Sequence, residues 1–333
     1  MSCLWNSRSR LTAAGRATVA VTLVSMLAAG CAGEPLAAPV PDTGTWTNRA
    51  PLTVPRMTPG VGVIDGVLYA VSGDETDAPP TMEAYDPLTD TWSGRAPFPL
   101  RHFFVGVGVV NGLLYGVVSG GELGGGEPES VAMRVYDPAT DTWAVRASVP
   151  TRRHFMGVGV VNGILYVVGG AETNPPPHRM SGAMNAYDPS TDTWSIKAPM
   201  PTRRSFVGVG TVDGIMYAVG GLDDIGEPRA TVEAYDPTTD SWSARAPVPV
   251  TSMDGPEIGV VDGILYAVNS GYTDFLPSTT IEAYDPVKDS WTTMAPAPVS
   301  RWWPGVGVVD GVMYLVGGWH DRVTYATVQA FYP

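Results

Sequence analysis

One apolar hairpin, interrupted by glycine, recurs six times along the 333-residue chain. Typical copies read IDGVLYAVSG from Ile64, VNGILYVVGG from Val161 and VVDGVMYLVGG from Val308. An Asp-Gly or Asn-Gly pair between two apolar runs is the strongest short-range signal for a β-hairpin with a tight turn. The chain is therefore predicted to form a series of similar small sheets.

Two aromatic positions keep register with this hairpin. A Tyr-Asp-Pro sequence follows each copy, with its aromatic residue at Tyr85, Tyr136, Tyr187, Tyr235 and Tyr284, and a degraded sixth copy at Phe331. A Trp follows a few residues later, at Trp92, Trp143, Trp194, Trp242 and Trp291. These two series of aromatic residues, the Tyr ladder and the Trp ladder, share a period of about 50 residues. Such a period indicates a repeat protein, in which each unit buries its faces against its neighbours.

Each repeat is predicted to form four short strands, which in the fourth repeat correspond to GVGTVDG, IMYAVGG, TVEAYDP and TDSWSARAP. A ring of such sheets leaves no exposed end face. The last repeat stops after its third strand, whereas the segment around Trp46 reads as a fourth strand without a hairpin before it. We therefore predict that Thr45–Arg49 completes the sixth sheet and closes the ring.

The Gly-Gly hairpin, the Tyr-Asp-Pro turn and the following Trp together resemble the kelch repeat, over residues 46–333. The resemblance implies an all-β fold: a six-bladed kelch β-propeller with four-stranded antiparallel blades, closed by the N-terminal strand in the last blade. Two copies depart from the pattern, because one residue is inserted before Gly120–Gly121 and Asn269–Ser270 replaces the glycine pair of repeat five.

The N-terminal segment has the composition of an export signal, since three arginines precede an apolar run and small residues. Residues 1–30 are interpreted as a signal peptide, and residues 31–44 as a flexible tether that begins at Cys31. The sequence LAAGC resembles a bacterial lipobox, in which Cys31 is lipidated; the alternative is ordinary signal cleavage near this position. We therefore expect residues 45–333 to form the propeller of an exported protein, anchored in the bacterial cell envelope only through the lipid on Cys31.

Composition excludes several classes of function. The formal net charge of −13 disfavours binding to nucleic acid. The chain has two cysteines, Cys3 and Cys31, both in the N-terminal segment, so thiol chemistry is not expected in the fold. The four histidines show no metal-ligand spacing. No metal and no cofactor are therefore expected.

Residues shared by all repeats are interpreted as scaffold, so recognition is expected on the face that carries the variable loops. One position, at a fixed distance before each hairpin Tyr, is occupied by Arg56, His102, Arg153, Arg204, Met253 and Arg301. By ring symmetry these residues are predicted to encircle the channel mouth, next to Phe155, Phe206 and Trp303. Converging guanidinium groups suit a carboxylate. Alternatively, the same arginines bind loop carboxylates or backbone carbonyls and only support the rim.

The resemblance adds two functional expectations. In kelch-like ubiquitin-ligase adaptors, arginines of the blades bind acidic peptides; Arg153 and Arg204 match that pattern best, and Met253 breaks it. In the six-bladed N-acetylneuraminate epimerase, the equivalent face binds a sugar acid. The favoured hypothesis is a non-catalytic module that binds an anionic protein, peptide or glycan. The alternative is a sugar-acid mutarotase or epimerase, in which a loop Glu or Asp acts as general base.

Overall fold

The computed structural model describes residues 44–73, 81–100, 105–119, 131–172, 179–249, 255–268, 272–273, 276–277 and 279–333. Over these ranges the chain contains strands and turns and no helix. The proposed signal peptide, Cys31, residues 31–43 of the tether and His102 lie outside the described residues. None of the described residues forms a helix that is long and apolar enough to cross a membrane.

The strands in chain order are β1 (Thr45–Arg49), β2 (Gly60–Ile64), β3 (Val67–Val71), β4 (Met82–Asp86), β5 (Thr91–Arg95), β6 (Val105–Val110), β7 (Leu113–Ser119), β8 (Val131–Asp137), β9 (Thr142–Val149), β10 (Gly157–Val161), β11 (Ile164–Val168), β12 (Ala171–Glu172), β13 (Arg179–Met180), β14 (Met184–Asp188), β15 (Thr193–Lys197), β16 (Gly208–Val212), β17 (Ile215–Val219), β18 (Val232–Asp236), β19 (Ser241–Arg245), β20 (Glu257–Val261), β21 (Ile264–Val268), β22 (Tyr272–Thr273), β23 (Leu276–Pro277), β24 (Ile281–Asp285), β25 (Ser290–Thr293), β26 (Gly305–Val309), β27 (Val312–Val316), β28 (Trp319–His320), β29 (Val323–Thr324) and β30 (Val328–Tyr332).

Six four-stranded antiparallel sheets form the blades. Blades one to five are β2-β3-β4-β5, β6-β7-β8-β9, β10-β11-β14-β15, β16-β17-β18-β19 and β20-β21-β24-β25. The sixth blade has the order β26-β27-β30-β1, so the first strand of the chain pairs with the last. Trp46 lies opposite Phe331 in this pairing, and their ring centroids are 4.8 Å apart. The predicted six-bladed fold and its closure are confirmed.

The turn between the first two strands of each blade has the backbone that its sequence predicts. In blade four, Asp213 and Gly214 have φ values of 49° and 77°. The left-handed region costs Gly little and is tolerated by Asp and Asn, which explains why these residue pairs recur. The other five hairpins repeat the same pair of positive φ values.

The Trp ladder connects neighbouring blades. In every blade the indole Nε1 of this Trp donates a hydrogen bond to an alanine carbonyl near the end of the fourth strand of the preceding blade, at distances of 2.8 to 3.2 Å. The ring also packs beside the Tyr of its own blade, or beside Phe331 in the sixth. These aromatic residues therefore belong to the scaffold.

The turn aspartates form a second contact between blades. In blade four, Asp240 accepts hydrogen bonds from the hydroxyl of Tyr235, at 2.7 Å, and from the backbone N–H of Ala198 in blade three, at 2.9 Å. These two donors lower the pKa of Asp240, the backbone bond being the larger cause. Blades one, two, three and five repeat the contact. In the sixth blade Gly44 and Phe331 take the places of the Asp and the Tyr.

Candidate functional site

The arginines predicted at the channel mouth are buried inside their blades. Arg204 is fully buried, and its guanidinium donates to the carbonyls of Gly220 and Thr231, which end β17 and precede β18. Its other terminal nitrogen lies 2.8 Å from the Glu233 carboxylate, which is itself buried. Arg204 therefore links the end of β17 to the start of β18, at the base of the loop between them. Its N–H groups are bonded to the protein itself.

The other three arginines repeat this arrangement with different partners on the third strand. Arg56 pairs with Glu83 at 2.8 Å, Arg153 donates to Asn185 at 2.7 Å, and Arg301 donates to Gln329. All three are at most 1% exposed.

Burial lowers the pKa of Arg153 and of Arg301 to about 10, and neither forms a hydrogen-bonded ion pair of the kind that Glu233 forms with Arg204. The geometry supports the alternative scaffold role for all four arginines. A ligand cannot reach a side chain that is this deeply buried.

The aromatic residues of the predicted rim do lie at the channel mouth. Phe155, Phe206 and Trp303 each occupy the second position before the first strand of their blade and line one cavity. Phe155 stacks on Phe206, with ring centroids 4.1 Å apart and an interplanar angle of 16°.

All three aromatic residues have left-handed backbones, with φ values of 56°, 53° and 50°. Bulky residues seldom adopt this conformation, and strained positions of this kind cluster at functional sites. Together with their exposure at the opening, this backbone strain makes them candidates for a recognition role.

Two further arginines, Arg152 and Arg203, precede Phe155 and Phe206 by three residues in the sequence. Arg152 and Arg203 immediately precede the buried Arg153 and Arg204, and unlike them are exposed. Neither has a hydrogen bond or an ion pair within the part of the chain that the structure describes. In a protein with net charge −13, these two exposed guanidinium groups are a source of positive charge close in sequence to the aromatic residues of the opening.

Sequence reasoning missed Glu257, the first residue of β20 and part of the cavity lining. The corresponding position in the other five blades is glycine: Gly60, Gly106, Gly157, Gly208 and Gly305. Burial raises the pKa of Glu257 to about 7. The signal was available in the sequence, because PEIGVVDG stands where the other repeats read GVGVVDG or a close variant.

Blade five also differs at its third strand. Glu282 occupies the position of Glu83 and Glu233 and is fully buried, but its hydrogen-bond partner is the hydroxyl of Thr293, at 2.9 and 3.1 Å from the two carboxylate oxygens. No cation contacts Glu282 among the described residues. Burial is the larger influence and raises the pKa of Glu282, while the bond from Thr293 opposes that shift.

No group of three or more His, Cys, Asp or Glu residues that could hold a metal ion occurs within the described ranges. The candidate site consists of an aromatic opening, one carboxylate inside the cavity and two exposed arginines close by in the sequence.

A closed ring of six four-stranded blades defines the β-propeller class. Family models described as Kelch motif match residues 152–201 and 203–249, which are blades three and four. The solved structure of YjhT superposes with a TM-score of 0.73 over 84% of this chain and 95% of that one, at 17% identity, a similarity that supports the fold alone. The kelch motifs in blades three and four, together with this fold, support a kelch-repeat β-propeller.

Similar curated proteins share one part of this chain. Kelch-like ECH-associated protein 1A of Danio rerio is 37% identical over 89 residues, which are 27% of this chain and 15% of that protein. Human Kelch-like protein 28 is 31% identical over 96 residues, 28% of this chain and 17% of that protein. The chain thus matches less than a fifth of the length of these relatives.

Proposed function

We propose that the propeller is a non-catalytic interaction module, which binds an anionic peptide, protein or glycan on its loop-rich face. The exposed Arg152 and Arg203 supply the charge, and Phe155, Phe206 and Trp303 supply apolar contact area. The relationship to kelch-like proteins supports a protein partner. The observation that carries the proposal is the strained aromatic opening flanked by two arginines that the scaffold leaves unused.

The charge distribution favours an anionic ligand. The buried arginines already have their partners, so a ligand carboxylate meets only the exposed pair. An Arg beside an aromatic face binds a carboxylate by charge-assisted hydrogen bonds, while the rings pack on adjacent apolar groups. Both arginines are exposed, so salt should weaken the interaction.

A thermal-shift screen of acidic peptides, sugar acids and neutral glycans at low salt tests this proposal, because a ligand stabilises the protein only by binding its native state. We expect acidic ligands to raise Tm. Replacing both arginines (Arg152→Ala with Arg203→Ala) should weaken binding at least tenfold. The control is Leu88→Ala, a 94% exposed residue in a turn on the opposite face. Binding confined to neutral glycans, or unaffected by the double substitution, would contradict the proposal.

A sugar-acid mutarotase or epimerase is the second candidate, and Glu257 is the observation that favours it. A carboxyl with a pKa near the working pH, inside a cavity, is suited to general acid–base catalysis. Mutarotation of single-anomer sialic acid, followed by NMR, distinguishes the two functions. Acceleration that Glu257→Gln abolishes would establish the enzyme, and no acceleration would favour the binding module.

We also propose that the module works in the bacterial cell envelope, held there by a lipid on Cys31. The basic and apolar N-terminal segment that ends in LAAGC supports this location. Metabolic labelling with a radioactive fatty acid should mark the wild-type protein and not Cys31→Ser. Equal labelling of both would exclude Cys31 as the lipidation site.

A further inference from the structure

The other five blades carry glycine at the position of Glu257. A Cβ atom placed on any of the five corresponding glycines would come within 2.3 to 2.5 Å of an atom in the next blade. Real Cβ atoms do not approach other atoms this closely, so those five interfaces exclude a side chain. Blade five instead carries a glutamate at this position, and this residue lines the channel cavity.

The cavity that Glu257 lines has a volume of about 180 Å³. Its walls are mostly glycine backbone and aliphatic side chains, among them Val158, Val209 and Ile258, and Phe155, Phe206 and Trp303 stand at its mouth. An apolar cavity of about 150 Å³ is large enough to hold benzene. This cavity therefore has room for a short alkyl chain.

The carboxylate of Glu257 has no hydrogen-bond or salt-bridge partner within the described part of the chain. It is also the only titratable group among the described residues that line the cavity. A desolvated carboxylate without a partner is unfavourable, and burial accordingly raises its pKa to about 7. A cationic ligand would supply the missing charge.

We propose that the channel cavity binds a primary alkylammonium group, which donates hydrogen bonds to the Glu257 carboxylate while its alkyl chain packs against the valines and the aromatic mouth. One carboxylate balances one ammonium charge, and aromatic faces attract cations. A divalent metal ion would require several oxygen ligands, and the described lining offers one carboxylate. This site shares its aromatic residues with the anion site proposed at the rim, but it uses a different charged group, Glu257 in place of Arg152 and Arg203.

Isothermal titration calorimetry with n-butylammonium chloride tests the site directly, with n-butanol and butyrate as neutral and anionic controls of the same chain length. We expect butylammonium to bind and the two controls to bind at least tenfold more weakly. Nα-acetyl-lysine amide distinguishes the two sources of the group. Its binding indicates that a protein lysine can enter, and binding of butylammonium alone indicates a free amine.

Two variants at Glu257 keep the test independent of folding. Glu257→Gln preserves the shape, and Glu257→Gly restores the residue that the other five blades carry. Both should retain cooperative melting and lose at least tenfold in affinity for butylammonium, whereas Leu88→Ala on the opposite face should bind like the wild type. Unchanged affinity in Glu257→Gln, or equal binding of butanol and butylammonium, would overturn the proposal.

The pH dependence of binding has a defined sign. Only the ionised carboxylate attracts the ammonium group, so affinity should rise as pH increases through about 7, while an alkylamine stays protonated. Asp254 and His102 lie outside the described residues, so the profile is read as the difference between wild type and Glu257→Gln. A profile that this substitution leaves unchanged would also contradict the proposal.

Discussion

Blades four and five have the same four strands and the same Tyr, Trp and Asp contacts with their neighbours, yet they differ where charge is buried. In blade four, Arg204 pairs with Glu233, and Gly208 begins the innermost strand. In blade five, Glu282 is buried without a cation among the described residues, and Glu257 replaces the glycine.

The comparison separates two kinds of residue. Positions that keep one chemistry around the ring satisfy needs that every blade has, such as joining two strands beneath a loop. Positions at which the residue of one blade differs from those of the other blades can serve a function that packing does not require. Blade five departs at Glu257, where the other blades have glycine, and this residue lines the channel cavity.

The largest expected effect comes from breaking the buried pair of blade four. Arg204→Ala leaves Glu233 buried without its cation and removes donors from two strand carbonyls, so it should lower the free energy of unfolding by about 3 to 5 kcal/mol. Urea denaturation followed by circular dichroism measures the change. The adjacent Arg203→Ala is the matched control and should alter stability by less than about 0.5 kcal/mol. Equal effects of the two substitutions would refute the scaffold role of Arg204.

Much of the fold follows from the sequence because its signals are local and repeated. The Asp-Gly and Asn-Gly pairs dictate the hairpins, and the orphan strand at Trp46 completes the unfinished sixth blade. The paired strands β12–β13, β22–β23 and β28–β29 in the variable loops were not predicted. These loops differ in length and sequence from one repeat to the next, so no periodicity in the sequence indicates how they pair.

The site was harder to predict, because the position of a residue in the repeat does not show how deeply its side chain is buried or which way it points. The doublets Arg152–Arg153 and Arg203–Arg204 each contain one buried and one exposed arginine, and the sequence alone does not distinguish them. The prediction selected the buried members. Their partners on the third strand vary between Glu83, Asn185, Glu233 and Gln329, so no constant residue in the sequence marks them as partners.

The most direct test of the comparison applies one substitution at the equivalent position of both blades. Glu233→Gln removes the countercharge of Arg204 but keeps a hydrogen-bond acceptor, as Gln329 provides for Arg301, so stability should fall by about 1 kcal/mol. Glu282→Gln removes a desolvated carboxylate that no described cation balances, so stability at pH 8 should rise by about 1 kcal/mol.

The pH dependence of Glu282→Gln follows from the raised pKa of Glu282. The native state holds its proton more tightly than the unfolded chain, so the wild type loses stability as pH rises above the ordinary carboxyl range, and the variant escapes that loss. Urea denaturation of both variants at pH 5 and pH 8 makes the measurement. We predict that at pH 8 Glu233→Gln lowers the free energy of unfolding and Glu282→Gln raises it, with a smaller gain for Glu282→Gln at pH 5. A loss of stability in both variants would contradict the account.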